Sequence, residues 1–390
     1  MDSRYKVGIK LKMLRSEKKS TITMKVVVIG CGFGGVEVAS ELRKRSKELD
    51  ITMIDRRTRL EYQAAHPEIL SGKVTAEEIS GDLNEFASRI NAKFINETVM
   101  NIDFEAKTVN TKEEREIPYD FLVISIGAEQ TFFGIPGAEE RSYSVNTLKG
   151  AIETKTALDK RDYSKKISIA VIGAGLTGVE VAGELVDYLR DRASAKIYLV
   201  ELMQRVLPAF PTENVSNYAA KFISDSSVEI LTDTAVQEVN EHEITFTDGT
   251  ELPYDIIIWT AGIKPNGLLE KLELPKERGW LKVDSYLRVD GMKSVFAVGD
   301  TAYSENEGVR SGQNVEEAER QGKHAAKNII RAIKGKKLKR YRPKNTIQNP
   351  RAFISLGNDK AVMYFGGRMF KVFAYRVKKF VERRYMKRFR

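Results

Sequence analysis

The apolar residues of this chain gather in short unbroken runs. Val26-Val27-Val28-Ile29, Ile51-Thr52-Met53-Ile54, residues 166–172, Ile197-Tyr198-Leu199-Val200 and Ile256-Ile257-Ile258-Trp259 are clear examples. A strand with one wet face alternates apolar and polar residues, whereas a strand covered on both faces does not. These runs therefore predict parallel strands flanked by helices. Two of them lead into a glycine-rich turn and then into a helical apolar pattern. The predicted class is α/β and doubly wound.

The pattern occurs twice. Val28-Ile29-Gly30-Cys31-Gly32-Phe33-Gly34-Gly35-Val36-Glu37-Val38-Ala39-Ser40-Glu41-Leu42 recurs as Val171-Ile172-Gly173-Ala174-Gly175-Leu176-Thr177-Gly178-Val179-Glu180-Val181-Ala182-Gly183-Glu184-Leu185, 143 residues later. Residues 118–128 recur as 253–263, at an offset of 135. Two similar nucleotide-binding units are expected in one polypeptide.

Near the carboxyl end, Met369, Phe370, Phe373, Val377, Phe380 and Val381 share one side of a helical wheel. Arg376, Lys378, Lys379 and Arg383 lie elsewhere on it, so residues 367–390 read as a basic amphipathic helix. Such a helix suits an anionic membrane surface. The competing reading packs it on the body or on a second copy of the chain, as in a homodimer. No run approaches the ~18 apolar residues needed to cross a bilayer.

Composition sharpens this picture. At 390 residues the chain is too long for one ordinary domain, given roughly 150 residues per domain. Its net charge is +10, with residues 1–25 at +6, 331–344 at +8 and 367–390 at +9, leaving the remainder at −13. An acidic body with basic ends argues for attachment to a surface and against specific nucleic-acid binding. Residues 331–344 read as a basic linker and residues 1–23 as a dispensable extension. The N-terminus lacks an apolar secretory core, and the single cysteine excludes a disulfide scaffold or a cysteine-ligated metal. His242 and His324 have no metal-type spacing, and no metal is expected. The expected location is the cytosol-facing side.

The glycine turns supply the chemistry. In the first unit Gly30 makes the tight turn, Gly32 admits a pyrophosphate to the backbone, and Gly35 lets helix and strand pack closely. The next strand ends at Asp55, placed to accept from an adenosine ribose. In the second unit Gly173, Gly175 and Gly178 repeat these roles and Glu201 replaces the aspartate. A carboxylate there accepts from a free 2′-hydroxyl and repels a 2′-phosphate, which favours NADH over NADPH. Val295-Phe296-Ala297-Val298-Gly299 delivers Asp300 at the end of a third apolar strand, where it can hold a ribityl hydroxyl. The flavin domain is then discontinuous: residues 24–146 and 266–330 bind FAD, 147–265 form an inserted NADH domain, and 331–390 a basic membrane-association region. The expected fold is two Rossmann-like doubly wound domains plus a C-terminal basic amphipathic helix.

With both fingerprints, both acids and Asp300, residues 24–330 resemble the two-dinucleotide-binding-domain flavoproteins. Within them the chain looks most like type II NADH:quinone oxidoreductases, single-subunit enzymes that do not pump protons. The resemblance implies FAD contacts at Gly30, Gly32, Phe33, Gly34, Gly35, Asp55, Arg56, Gly127, Asp300, Glu317 and Ala318. It implies NAD contacts at Gly173, Gly175, Leu176, Thr177, Gly178, Glu201 and Gly262. It also implies a catalytic role for Glu180 in coupling NADH oxidation to quinone reduction, and attachment to the cytoplasmic face of the cell membrane.

The chain departs from that family at Val315-Glu316-Glu317-Ala318-Glu319-Arg320-Gln321-Gly322, where Glu316 and Arg320 replace two glutamines on the quinone side. The helix start near Glu317 is expected to aim N–H groups at the flavin carbonyl O2. His66 reads as a polar loop residue. Cys31 lies inside the phosphate turn, which argues against the sulfide, glutathione and coenzyme A disulfide reductases that share this architecture. The alternatives are a soluble NADH:ferredoxin or rubredoxin-type reductase and an NADH-switched nucleic-acid-binding flavoprotein.

Overall fold

The structure is a computed structural model and describes residues 23–192 and 195–390. The expected N-terminal extension lies, but for Thr23, outside the described residues.

The first unit opens with β1 (Lys25–Ile29), α1 (Phe33–Arg45) and β2 (Asp50–Asp55), then α2 (Pro67–Ser71), β3 (Lys93–Asn96) and β4 (Phe121–Ile124). The second unit contains β5 (Ser142–Tyr143), β6 (Ile167–Ile172), α3 (Leu176–Tyr188), β7 (Ala195–Val200), β8 (Val228–Leu231) and β9 (Ile256–Trp259). The chain then supplies β10 (Val295–Ala297) and α4 (Val315–Ile333). It ends in an antiparallel meander, β11 (Ala352–Gly357), β12 (Lys360–Phe365) and β13 (Arg368–Phe370), and in α5 (Ala374–Met386).

Two five-stranded parallel sheets result, ordered β10-β4-β1-β2-β3 and β5-β9-β6-β7-β8. Residues 26–29 and 169–171 are at most 1% exposed, as strands covered on both faces must be. The edge strand of the first sheet, β10, arrives only after the whole second sheet has been traversed. In each sheet the chain order reverses beside the first strand, so a crevice opens outside its carboxyl end, where doubly wound sheets bind ligands.

Helix α4 closes this crevice by lying against α1. A Cβ on Gly322 would stand 2.5 Å from the Gly34 carbonyl oxygen, so the two backbones touch where no side chain fits. Apolar packing then continues down α4 through Ala325, Ala326 and Ile329, all fully buried.

Two segments differ from expectation. Residues 331–344 are an ordered strap rather than a free linker. Asn328 exchanges two hydrogen bonds with the Lys339 backbone, at 2.9 Å each, and the Tyr341 hydroxyl donates to Glu317. The expected helix begins at Ala374; Met369 and Phe370 belong to β13. Gly366 and Gly367, at φ of 58° and 74°, turn the chain back as a hairpin, and Phe373 at φ of 59° breaks it before the helix. The helical spacing of Met369 and Phe370 was fortuitous.

Candidate functional site

The two glycine turns are built alike. Gly30 and Gly173 have φ of 82° and 96°, a region costly for any residue with a Cβ. A Cβ on Gly35 would lie 2.0 Å from the Gly30 oxygen, and one on Gly178 would lie 1.8 Å from the Gly173 oxygen. Gly32 and Gly175 have open space where a Cβ would sit. That opening, at the N-terminus of α1 and of α3, is a cradle for a pyrophosphate. The hydroxyls of Ser125 and Thr260, at the ends of β4 and β9, buttress the turns by donating to the carbonyls of Ile29 and Gly30 and of Ile172 and Gly173.

Each acid grips its turn in the same manner. Asp55 accepts from the N–H of Cys31 at 2.7 Å and of Arg57 at 2.8 Å. Glu201 accepts from the N–H of Ala174 at 2.7 Å and of Met203 at 2.9 Å. Each carboxylate keeps lone pairs free for a ribose. Beside the second turn Leu176, Leu202 and Met203 are 39%, 64% and 53% exposed, an apolar rim on an otherwise polar surface. Arg205, the nearest cation along the chain, is occupied by Ser216, Phe210 and Thr212, at 2.7 to 3.3 Å.

A cavity of about 520 Å³ runs from the first turn across the molecule. Gly30, Gly32, Phe33, Gly34, Asp55, Arg56, Gly127, Asp300 and Ala318 line it, with Ile263 of the second unit at its far side. Gly35 and Glu317 stand behind the wall. Burial pushes the Asp300 carboxyl up to about 6, and no described residue donates to it. A carboxylate on the cavity wall with no donor among the described residues is what a ribityl hydroxyl would satisfy. Together with the open cradles, it means the residues present fit a flavin dinucleotide in this cavity.

Two residues that sequence reasoning passed over hold Asp300 in place. Gln321 accepts from the Gly299 N–H at 2.7 Å, and Thr301 accepts from the Gly127 N–H at 2.8 Å. Gln321 was visible as an agreement with the family pattern, but only the fold reveals that it orients the Asp300 turn.

The start of α4 departs from expectation. The Glu317 N–H donates to Asn314 Oδ1 at 3.0 Å, and that of Ala318 donates to the Asn314 carbonyl at 3.0 Å. Neither is available to a cofactor. Asn314 is an N-cap, and it leaves Val315, half-buried on the cavity wall, as the first residue of the helix. The Glu317 carboxylate is fully buried and accepts from the N–H groups of Lys344 and Asn345 at 2.9 and 2.8 Å. Glu316 pairs with Arg351 at 3.3 Å and accepts from Asn345 Nδ2, while Arg320 pairs with Glu317 at 3.5 Å. Glu316 thus fastens the strap and the start of the meander to α4, and Arg320 braces the Glu317 that holds the strap.

Glu180 is buried on α3, away from the cavity wall. It accepts from the Ser355 N–H at 3.0 Å and faces Lys378 of α5 at 3.2 Å. Burial raises its pKa, outweighing Lys378 and the Ser355 N–H. Lys378 also meets Glu68 at 2.8 Å, and Lys379 meets the other Glu68 oxygen at 2.6 Å. The two lysines outweigh burial and hold the Glu68 carboxyl low. Glu37, the repeat counterpart of Glu180, is fully buried and bound by Arg388 at 2.6 Å.

His66 lies in the turn before α2, as expected of a loop residue, but is fully buried. Its Nδ1 lies 2.9 Å from the Val145 carbonyl, and burial lowers its pKa despite Glu61 at 3.8 Å.

Residues 24–322 match the family described as pyridine nucleotide-disulphide oxidoreductases. The chain belongs to that family. Among curated relatives, the type II NADH:quinone oxidoreductase of Staphylococcus haemolyticus is 29% identical over 340 residues, covering 80% of this chain and 83% of that protein. The sulfide:quinone oxidoreductase structure from Aquifex aeolicus superposes with a TM-score of 0.82 at 22% identity, covering 94% of this chain and 92% of that one. The NDH2 structure from Plasmodium falciparum gives 0.80 at 18% identity, covering 94% and 95%. The disulphide of the family description has no counterpart here. The one cysteine, Cys31, is buried in the first turn with its thiol pKa pushed well up by burial.

Proposed function

We propose that the protein is an FAD-dependent NADH:quinone oxidoreductase of type II, attached peripherally to the cytoplasmic face of the cell membrane. The observation that carries this reading is the pairing of two equivalent nucleotide cradles, each with its own ribose-binding acid, beside a cavity that ends at the unpartnered Asp300. When bound, FAD supplies the redox chemistry, accepting hydride from NADH and passing two electrons to the quinone.

The chain's own contribution is to bind and to orient. The N–H groups opening α1 and α3 face the pyrophosphates, and Asp55 and Glu201 fix the two adenosines. Asp300, held by Gln321 and Thr301, fixes the ribityl chain. These contacts bring the two dinucleotides together and convert a bimolecular encounter into a local one. Glu180, buried between the Ser355 N–H and Lys378 and with its pKa raised by burial, is the residue assigned to the coupling step.

Lacking a second cysteine, the chain cannot run a disulfide relay, and its likeness to type II NADH:quinone oxidoreductases supports a quinone as the acceptor. Membrane attachment rests on α5. Val377, Phe380 and Val381 are 39%, 63% and 43% exposed, whereas Lys378 and Glu382 face inward and are buried. Ala374, Tyr385 and Met386 share that buried face, so it is the outward apolar stripe that supports membrane contact. Among the described residues, no helix is long and apolar enough to cross a membrane.

The test is anaerobic. NADH should bleach the purified flavoprotein, and a menaquinone or ubiquinone analogue should restore the colour at a catalytically competent rate. Bleaching without recovery by either quinone, but with recovery by a ferredoxin, would replace this reading with the soluble carrier-reductase one.

A further inference from the structure

A second cavity, of about 180 Å³, lies between α5 and the turn that follows α2. This is the volume of about six waters at ~30 Å³ each, room for a phosphodiester with a small alcohol. Five cationic side chains line it, Lys73, Lys379, Arg383, Lys387 and Arg390, against two acids, Glu78 and Glu382.

The acids are already engaged. Glu382 holds Lys379 at 2.9 Å, and Glu78 accepts from the Thr75 N–H at 2.9 Å. Lys73 is spent on Glu184 and Asp187, at 3.0 and 2.5 Å. Arg383 and Lys387 pair with none of the described residues and are exposed at the mouth. Two unneutralised cations on the rim of a polar recess form an anion site.

Its place on the helix decides which anion. Lys379, Glu382, Arg383 and Met386 recur at helical spacing and form the recess face of α5, which Lys387 continues into the turn that follows. Val377, Phe380 and Val381 form the exposed apolar stripe. On the wheel Arg383 and Lys387 fall between the two faces, next to Phe380. An occupant with its phosphate on these cations would lay any attached hydrocarbon along Phe380 and Val381. A free phosphate would leave that stripe unused.

The geometry points to a headgroup site for an anionic phospholipid: the recess takes the phosphodiester, Arg383 and Lys387 hold its charge, and the acyl chains follow the apolar stripe. This rests on the membrane reading of α5 and goes beyond it, because a diffuse basic surface needs no recess.

The experiment titrates the full-length holoenzyme with dihexanoylphosphatidylglycerol and, separately, dihexanoylphosphatidylcholine, both below the concentration at which they form micelles. Saturable one-to-one binding of the glycerol lipid is expected. R383Q/K387Q should weaken it roughly thirtyfold, from two surface cations. R376Q/R384Q removes the same charge from exposed positions of the same helix outside the recess and should leave affinity within about twofold, since that charge is screened by water. Equal losses in the two pairs would overturn the recess while leaving the membrane reading intact. Displacement of the lipid by stoichiometric inorganic phosphate would make this a free-anion site and overturn the lipid. Failure of the unmodified protein to sediment with phosphatidylglycerol vesicles would defeat the membrane reading and the headgroup site with it.

Discussion

Glu37 and Glu180 stand at the same position of the two repeats, and the repeat alone makes them look interchangeable. In sequence, Glu37 shows that the helix tolerates a glutamate there without catalysis, which leaves Glu180 open to reading as a solvated helix residue. In the fold neither is solvated, because the C-terminal segment brings Arg388 to one and Lys378 to the other. That partner lies some two hundred residues or more away in sequence, beyond the reach of local pattern. The carboxylates proposed to hold the riboses were legible, since each closes the strand that follows its glycine turn, 20 residues after Gly35 and 23 after Gly178. Glu180→Gln keeps the Ser355 hydrogen bond but cannot ionise. Its turnover should fall by about a hundredfold, the low end for a lost proton-transfer group, with FAD still bound. Stopped-flow and steady-state kinetics check this, and unchanged turnover would remove Glu180 from the coupling. Glu201→Ala should raise KM for NADH by roughly ten- to a hundredfold, the loss of a hydrogen bond to a charged group, and narrow the preference over NADPH. Paired kinetics with both nucleotides measure it. Asp300, ionising at about 6 in the cofactor-free protein, accepts a ribityl hydroxyl best when charged. FAD affinity of the apoprotein should therefore rise from pH 5 to 7 and level off above, in a flavin-fluorescence titration. Asp300→Asn should bind more weakly and lose that pH dependence.

At the scale of elements, strands read more clearly than helix surroundings. Runs buried on both faces announce themselves in composition, so both parallel sheets were expected. What α4 does was not legible. Glu316, expected on the quinone side, also ties Asn345 and Arg351 to α4, and Arg320 pairs with the Glu317 that holds the strap. The expected flavin-facing N–H groups near Glu317 are consumed by the Asn314 cap, a feature visible as an Asn ahead of two Glu yet outweighed by the family pattern. The α1–α4 contact has a sequence trace only in retrospect, as Gly34 and Gly322. Gly322→Ala would set a Cβ 2.5 Å from the Gly34 oxygen and force the helices apart. Denaturant unfolding should show a loss of about 1–3 kcal/mol, as for an overpacked core, together with faster FAD release. A variant as stable as the parent would show that α4 can slide without cost.

Across the whole molecule, charge and hydrophobicity are sorted by location: an acidic body, a buried ionic cluster under α5, and an apolar stripe turned outward. Composition revealed the first, and the helical wheel revealed the third, apart from the two residues the hairpin takes. The cluster was invisible, since it assembles α2, α3, β11 and α5. It also changes how attachment should be tested. Removing residues 367–390 would strip Lys378 and Lys379 from Glu68 and Glu180, leaving buried carboxylates without partners, so a truncated chain would report on folding. Phe380→Ser with Val381→Ser touches only the exposed stripe. It should lower partition into phosphatidylglycerol vesicles at least about tenfold, since each large apolar side chain buried contributes about 1.5–3 kcal/mol, with melting temperature unchanged. Cosedimentation checks it, and undiminished binding would move attachment to another surface.

The late arrival of β10 bears on biosynthesis. The flavin sheet cannot gain its edge strand, nor Asp300 its position, until the entire intervening unit has left the ribosome. A nascent chain halted between the two sheets would display a finished adenosine-binding turn and an unfinished ribityl pocket. The wall of the coenzyme cavity from Val298 to Ala318 is thus the last part of it to be synthesised.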